Sequence, residues 1–249
     1  MNFDLLFQDL YSIPAIPIRH CQGEEIFRYT NNDIKFKYNI QGYRSKEFDQ
    51  ISDNFVLVSG CSHTEGHGLN LSDTWANLVA DSLSLDLVNL AKGGSGADFV
   101  SQNIFNWMSS GKLPKIVIAQ WPNPFRFMQW PENKLKFVIA GSTTIMYDYR
   151  LKYDEFGFWA NWTRNIIFVD HICREKNIPI LHLCFEEKKF VNHAVDVLKS
   201  KNIELHIDEK LPGKTWHFDS QAADGQHHSP NCQRKWADRI LTLAQNHLQ

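Results

Sequence analysis

Cysteine is scarce in this chain, and the five present (Cys21, Cys61, Cys173, Cys184 and Cys232) are odd in number, widely scattered and without a C-x-x-C pair. That pattern excludes a disulfide framework and zinc-finger spacing, and it suits thiols of a reducing compartment. Long hydrophobic runs are missing too: no stretch approaches the roughly 20 apolar residues of a membrane span. The N-terminus lacks the basic segment and unbroken apolar run of a signal peptide, so the expectation is a cytoplasmic protein, with phage or virion association left open. An excess of charge is also absent. The formal net charge is −2, which gives no general electrostatic footprint for nucleic acid or an anionic membrane. The dinucleotide fingerprint is lacking as well, because Gly93, Gly94 and Gly96 have the wrong spacing and follow the second predicted strand of the sheet.

What is present is an ordinary globular balance, 43% hydrophobic and 22% charged residues in a chain of 249. Residues 1–50 are aromatic and rich in Asn, Pro and charge, with a strand-like piece around Ile34 to Tyr38. They read as an N-terminal extension packed on a single domain covering 51–249. From Phe55 onward short apolar runs alternate with helical patterns. The predicted strands are 55–60, 85–90, 115–120, 178–185 and 203–207; the predicted helices are 74–83, 97–109, 159–176, 190–201 and 230–248. Ser72 or Asp73 is the expected cap of the first of these helices. Strands alternating with helices of ten or more residues predict βαβ units and a parallel sheet covered on both faces. The stretch from about 121 to 158 is long for a loop and carries many aromatics, which predicts short strands of its own and a binding role.

Ligands of such sheets bind beyond the carboxyl ends of the strands, so the residues that follow each strand are the candidates. After the first comes Gly60-Cys61-Ser62-His63-Thr64-Glu65-Gly66, which presents Ser62 either as a nucleophile or as a helix cap. After the second comes Asn89-Leu90-Ala91-Lys92-Gly93-Gly94-Ser95-Gly96, a turn able to aim backbone N–H groups at an oxyanion, or simply a tight turn before a helix. After the third, Asn123 or Gln120 can offer a side-chain N–H and Arg126 can hold an anionic group; Asn before Pro is equally a routine turn former. The fourth place is Asp224-Gly225-Gln226-His227-His228, where a carboxylate three residues ahead of a histidine can fix its tautomer and stabilise its protonated form. His217 and Asp219 lie nearby, but the histidines of this segment do not have the i, i+4 spacing of a zinc helix, and no metal is expected.

These four places, in this order, resemble the sequence blocks of the SGNH hydrolase superfamily, the GDSL-like lipases and acylhydrolases. The block G-D-S-x-T-x-G is matched by Gly60, Ser62, Thr64 and Gly66, with Cys61 where Asp is usual. N-x-x-x-x-G is matched by Asn89 and Gly94. G-x-N-D is matched only by Asn123, with Pro124 in the Asp position, and D-x-x-H-P by Asp224 and His227, with His228 for Pro. Upstream, Asn39-Ile40-Gln41-Gly42-Tyr43-Arg44 and the later Thr74-Trp75 are similar to a lead-in and a T-W pair found in a subset that includes bacterial and phage members and relatives of polysaccharide O-acetyltransferases. The resemblance implies a flavodoxin-like three-layer α/β/α sandwich with a mostly parallel central sheet. It implies a triad of Ser62, His227 and Asp224, and an oxyanion hole of the Ser62 and Gly94 amides with Asn123. It implies no cofactor.

The expected activity is that of a serine esterase acting through an acyl-enzyme on a small-molecule or glycan ester, with O-acyl transfer or a catalytically silent glycan-binding module as the alternatives. Trp121 and Arg126 are the expected substrate contacts. Trp121, Phe125, Phe127, Trp130, Trp159 and Trp162 form either an acyl pocket or sugar platform, or a satellite core under a long loop. Cys61 is expected to point away from the cleft if Ser62 points into it, since neighbours leaving a strand face opposite sides.

Overall fold

The structure is a computed structural model and describes residues 23–28, 33–129, 136–139, 155–185, 188–207 and 221–248. The chain begins with an antiparallel pair, β1 (Gly23–Arg28) and β2 (Asp33–Tyr38). β2 alternates strictly: Ile34, Phe36 and Tyr38 are buried, while Asp33, Lys35 and Lys37 face outward. This is the period-2 pattern of a strand with one covered face, and the buried residues join the main core.

The domain proper runs β3 (Phe55–Ser59), α1 (Ser62–Glu65), α2 (Trp75–Ser82), β4 (Asp86–Asn89), α3 (Ala97–Ser109) and β5 (Ile116–Trp121). A hairpin of β6 (Arg126–Gln129) and β7 (Lys136–Ile139) follows, then α4 (Glu155–Glu175), β8 (Ile180–Cys184), α5 (Lys188–Lys199), β9 (Leu205–Ile207) and α6 (Pro230–Leu248). Five strands form one parallel sheet in the order β4-β3-β5-β8-β9. Every residue of β3 and β5 is buried, as expected of strands covered on both faces. Val56, Val58, Ile116, Ile118, Leu181 and Leu183 pack against Trp75 and Val79 of α2 and Trp236 and Ile240 of α6. Leu57, Val117 and Ala119 belong to the opposite core with Phe99 and Ile104 of α3 and Trp162 and Ile166 of α4. Two helical layers thus enclose the sheet, and each fully buried Val, Leu or Ile contributes about 1.5–3 kcal/mol of transfer free energy.

The predicted elements are all found, with ends shifted by up to four residues. Two differences have local causes. α2 is capped by Thr74, whose hydroxyl accepts the Asn77 N–H at 3.4 Å, and not by Ser72 or Asp73, which lie in a short 3-10 turn. α4 starts at Glu155, inside the aromatic insertion, because Phe158 and Trp162 belong to its buried face. The β6–β7 hairpin supplies the short strands expected in that insertion. No described helix is long and apolar enough to cross a membrane.

The order of strands reverses between β3 and β5, and the space beyond their carboxyl ends is the general ligand site of open α/β sheets. Ser62 leaves β3, Asn123 and Arg126 leave β5, and the segment ahead of α6 closes over them.

Candidate active site

Ser62 opens α1, and it is not the cap of that helix: Cys61 holds the cap position without a side-chain bond. Its Oγ lies 2.8 Å from His227 Nε2. The other imidazole nitrogen, Nδ1, is in close hydrogen-bond contact with Asp224 Oδ2. Asp224 is held in turn by its own loop, since Oδ1 accepts the N–H groups of Gln226 and His227, both at 3.0 Å. Burial works against the Asp224 carboxylate, but those backbone bonds and His227 hold its pKa below the usual range. Burial lowers the His227 pKa, and the charges of His67 and Arg126 act in the same direction against the pull of Asp224. A neutral imidazole at pH 7, with the proton on Nδ1 facing a carboxylate, leaves Nε2 as an acceptor aimed at the serine hydroxyl.

Short-range contacts fix the loop carrying this pair. The Ala223 N–H donates to Gly68 O at 3.0 Å and the Ala222 N–H to His227 O at 2.9 Å. Gly68 adopts φ +71°, and a Cβ there would stand 2.9 Å from Asp224 Cγ. Ser229 then caps α6, its Oγ accepting the Cys232 N–H at 3.3 Å, with Pro230 in the first helical position where its missing N–H costs nothing.

The backbone N–H groups of Ser62 and Gly94 donate to no described residue. The neighbouring Gly93 N–H is taken by Glu65 Oε2 at 2.6 Å, which separates the two glycines by role. Gly94 sits at φ +79°, a left-handed conformation that only glycine adopts without strain. The turn is tied to the loop that carries Ser62 by Lys92 N–H to Gly60 O at 3.1 Å and Ser95 Oγ to Gly60 O at 2.9 Å.

Other predicted residues find different places. Asn123 makes an Asx turn, its Oδ1 accepting the Phe125 N–H at 3.0 Å, and its Nδ2 donates to no described residue. Gln120 is a buried acceptor beneath the turn that carries Ser62 and not an oxyanion donor: its Oε1 receives the Cys61 N–H, the Cys61 thiol and the Thr64 hydroxyl, each at 3.1 Å. The Cys61 side chain therefore points into the core, away from Ser62. Trp121 is also corrected. It is fully buried and its indole N–H donates to His182 Nδ1 at 3.0 Å, so it is a core residue and cannot touch substrate. Trp162 is likewise buried, bonded to Pro122 O at 2.7 Å, while Phe125 and Trp159 are half-buried against Phe158 and Trp162. Trp121 and Trp162 belong to the main core, with Trp159 packed against it. Trp130, His217, Asp219 and Cys21 lie outside the described residues.

The search of known proteins separates sequence from structure. No protein-family model matches the chain, and no curated protein matches it by sequence. Solved structures do match. TesA superposes with a TM-score of 0.53 at 15% identity, covering 78% of this chain and 99% of TesA. A protein of the lipolytic G-D-S-L family from Desulfitobacterium hafniense gives 0.53 at 12%, covering 77% and 99%. An acetyl xylan esterase from Butyrivibrio proteoclasticus gives 0.52 at 13%, covering 82% of this chain and 66% of its own. The fold is that of the SGNH hydrolases.

On this SGNH fold the chain carries polar residues that the block pattern does not single out. Glu65 is fully buried, with Oε1 2.7 Å from Lys92 Nζ and Oε2 2.8 Å from His67 Nε2. Arg44 reaches from the N-terminal segment to donate to Glu65 O, Gly66 O and Leu69 O at 2.7–3.2 Å, with its guanidinium 3.8 Å from the centre of the Phe36 ring. Asn39 Oδ1 closes the preceding turn by accepting the Gln41 and Tyr43 N–H groups. Asn39 and Arg44 thus brace the loop that follows Ser62. His63 and His67 place their rings 5.1 and 5.3 Å from that of His227. Among the described residues no three His, Cys, Asp or Glu side chains converge to hold a metal ion. The signal for Glu65 and His67 was their i, i+2 spacing just after Ser62, which has no meaning until the Gly93 turn is seen to fold onto them.

Proposed function

We propose that the protein is a serine esterase that cleaves a carboxylic ester through an acyl-enzyme. The observation that carries this reading is the unbroken relay from Asp224 through His227 to the Ser62 hydroxyl. Burial and the nearby charge of Arg126 keep His227 neutral, so Nε2 accepts the Ser62 proton as Oγ bonds to the ester carbonyl carbon. Negative charge passes to the carbonyl oxygen, where the Ser62 and Gly94 N–H groups stabilise it, with Asn123 Nδ2 as the third candidate donor. One such donor is worth about 10²–10³ in rate. The imidazolium, balanced by Asp224, gives its proton to the leaving alcohol. Water then attacks the acyl-serine by the same route, with His227 as base, and restores the hydroxyl.

Structural neighbours described as carbohydrate esterases support an O-acylated carbohydrate as the substrate. The test is hydrolysis of p-nitrophenyl acetate and acetylated sugars by the wild type beside Ser62→Ala and His227→Ala, with labelling by a serine-directed fluorophosphonate. Activity and labelling lost in both folded variants support the triad. A folded wild type that neither hydrolyses nor labels would overturn it.

A further inference from the structure

Among the described residues Arg126 has no ion-pair partner. Arg126 is half-buried at the start of β6. Its Nε is shut off from solvent and has no hydrogen-bond partner. A buried unpaired donor is costly, more so on a charged group, so such a group beside the site signals a ligand that completes it.

The fold holds Arg126 at the reacting centre. Its backbone N–H donates to Asn123 O at 3.0 Å, fixing the turn out of β5. Its carbonyl lies against Gly96, where a Cβ would stand 2.3 Å from the oxygen, so β6 sits directly on the turn that carries Gly94. The charge of Arg126 is felt at both His63 and His227. The carboxylates near it are committed elsewhere. Glu65 is taken by Lys92, His67 and Gly93; Asp224 by His227 and its own loop. Asp98, on the helix that Gly96 starts, spends its Oδ1 on the Phe99 N–H and its Oδ2 on the Met128 N–H at 2.7 Å. His63, His67 and His228 are the other ionisable side chains around the His227 ring, and Arg126 carries a fixed positive charge there.

We propose that Arg126 anchors a carboxylate of the substrate, so that the site takes esters whose acyl or alcohol half is itself an acid. A planar guanidinium offers paired N–H donors that match a carboxylate, and partial burial strengthens the pair. This inference rests on the esterase reading for its chemistry, but the anchor can be tested without turnover.

Two substrate pairs separate charge from shape: mono(4-nitrophenyl) succinate against 4-nitrophenyl butyrate for the acyl side, and acetoxyacetate against ethyl acetate for the alcohol side. In the wild type one pair shows a preference for the charged member of about 10- to 150-fold in kcat/KM, the range for hydrogen bonds to a charged group, carried mainly by KM. Arg126→Gln brings that ratio close to one, and Arg126→Lys, which keeps charge without the fork, falls between; if Gln fails to fold, Lys alone carries the comparison. Equal losses on charged and neutral esters, or no charge preference in either wild-type pair, overturn the proposal. Binding is read separately on Ser62→Ala, by titrating monomethyl succinate against dimethyl succinate with and without Arg126→Gln. Charge-selective binding without any hydrolysis would sink the esterase reading and keep the anchor; hydrolysis without charge selectivity does the reverse.

Discussion

Replacing Glu65 by Gln removes one negative charge from the most enclosed ion pair around the site. Both carboxylate oxygens are engaged, one by Lys92 and the other by His67 and the Gly93 N–H, and the side chain is only 1% exposed. A glutamine keeps one acceptor and turns an NH2 group toward a donor, while the buried Lys92 ammonium loses its counter-charge. The Tyr38 ring, 4.5 Å from Lys92 Nζ, offsets part of that loss. Breaking a buried pair from one side costs about 3–5 kcal/mol. The titration of Glu65 gives the same scale: burial pushes its pKa up, but His67 and Lys92 outweigh burial and hold it at about 2 against an ordinary 4.5. That shift corresponds to about 3 kcal/mol of stability. The depressed pKa means this contribution is complete above pH 4.5 and is lost as pH falls toward 2. In a domain of this size the variant's Tm drops by about 6–20 °C at pH 7, measured by circular dichroism. Adding Lys92→Met to Glu65→Gln recovers much of the loss, because no charge is then left buried alone. A single variant that melts within about 2 °C of the wild type would refute the reasoning, since surface ion pairs contribute that little.

Three further outcomes follow from the same geometry. The folded-state pKa values of His63, His182, His227 and His228 all lie below 6.5, with burial the first cause in each; the unfolded chain therefore binds more protons, and Tm falls as pH drops from 7 to 5. A pH-independent Tm over that range contradicts the assigned neutral imidazoles. Gly68→Ala places a Cβ against Asp224 at φ +71° and lowers kcat about 10- to 100-fold by shifting the carboxylate under His227; a rate equal to wild type in esterase assays removes Gly68 from the site's support. Gln120→Leu leaves the Cys61 N–H and Thr64 hydroxyl without their acceptor, at about 1–3 kcal/mol for each. Urea denaturation reads that loss, and an unchanged midpoint denies Gln120 its place under the nucleophile turn.

What the sequence makes legible and what it hides divide along a physical line. Groups whose partners lie close in the chain are readable: Asp224 and His227 are three residues apart, the turn residues Gly66 and Gly94 have positive φ, and Leu57 alternates with Val56 and Val58 across the sheet. Groups defined by partners far along the chain are not. Gln120 meets Cys61 across 59 residues and Glu65 meets Lys92 across 27, and no local pattern marks either as an acceptor. Trp121 failed for the complementary reason. A tryptophan at a strand end reads as a ligand platform only until β5 is placed centrally in the sheet, where its indole is enclosed and spends its N–H on His182. The same placement explains Cys61 in the position where Asp is usual. Gln120 Oε1 is an acceptor for the turn, serving the Cys61 N–H and the Thr64 hydroxyl, and a thiol at position 61 adds a third donor; a carboxylate there would face that oxygen with no proton between them unless the amide turned its NH2 group inward and gave up the Cys61 N–H. Cys61→Asp is therefore destabilising in this chain, read as a lower urea midpoint than that of the wild type, and an unchanged midpoint would deny that Cys61 and Gln120 are matched.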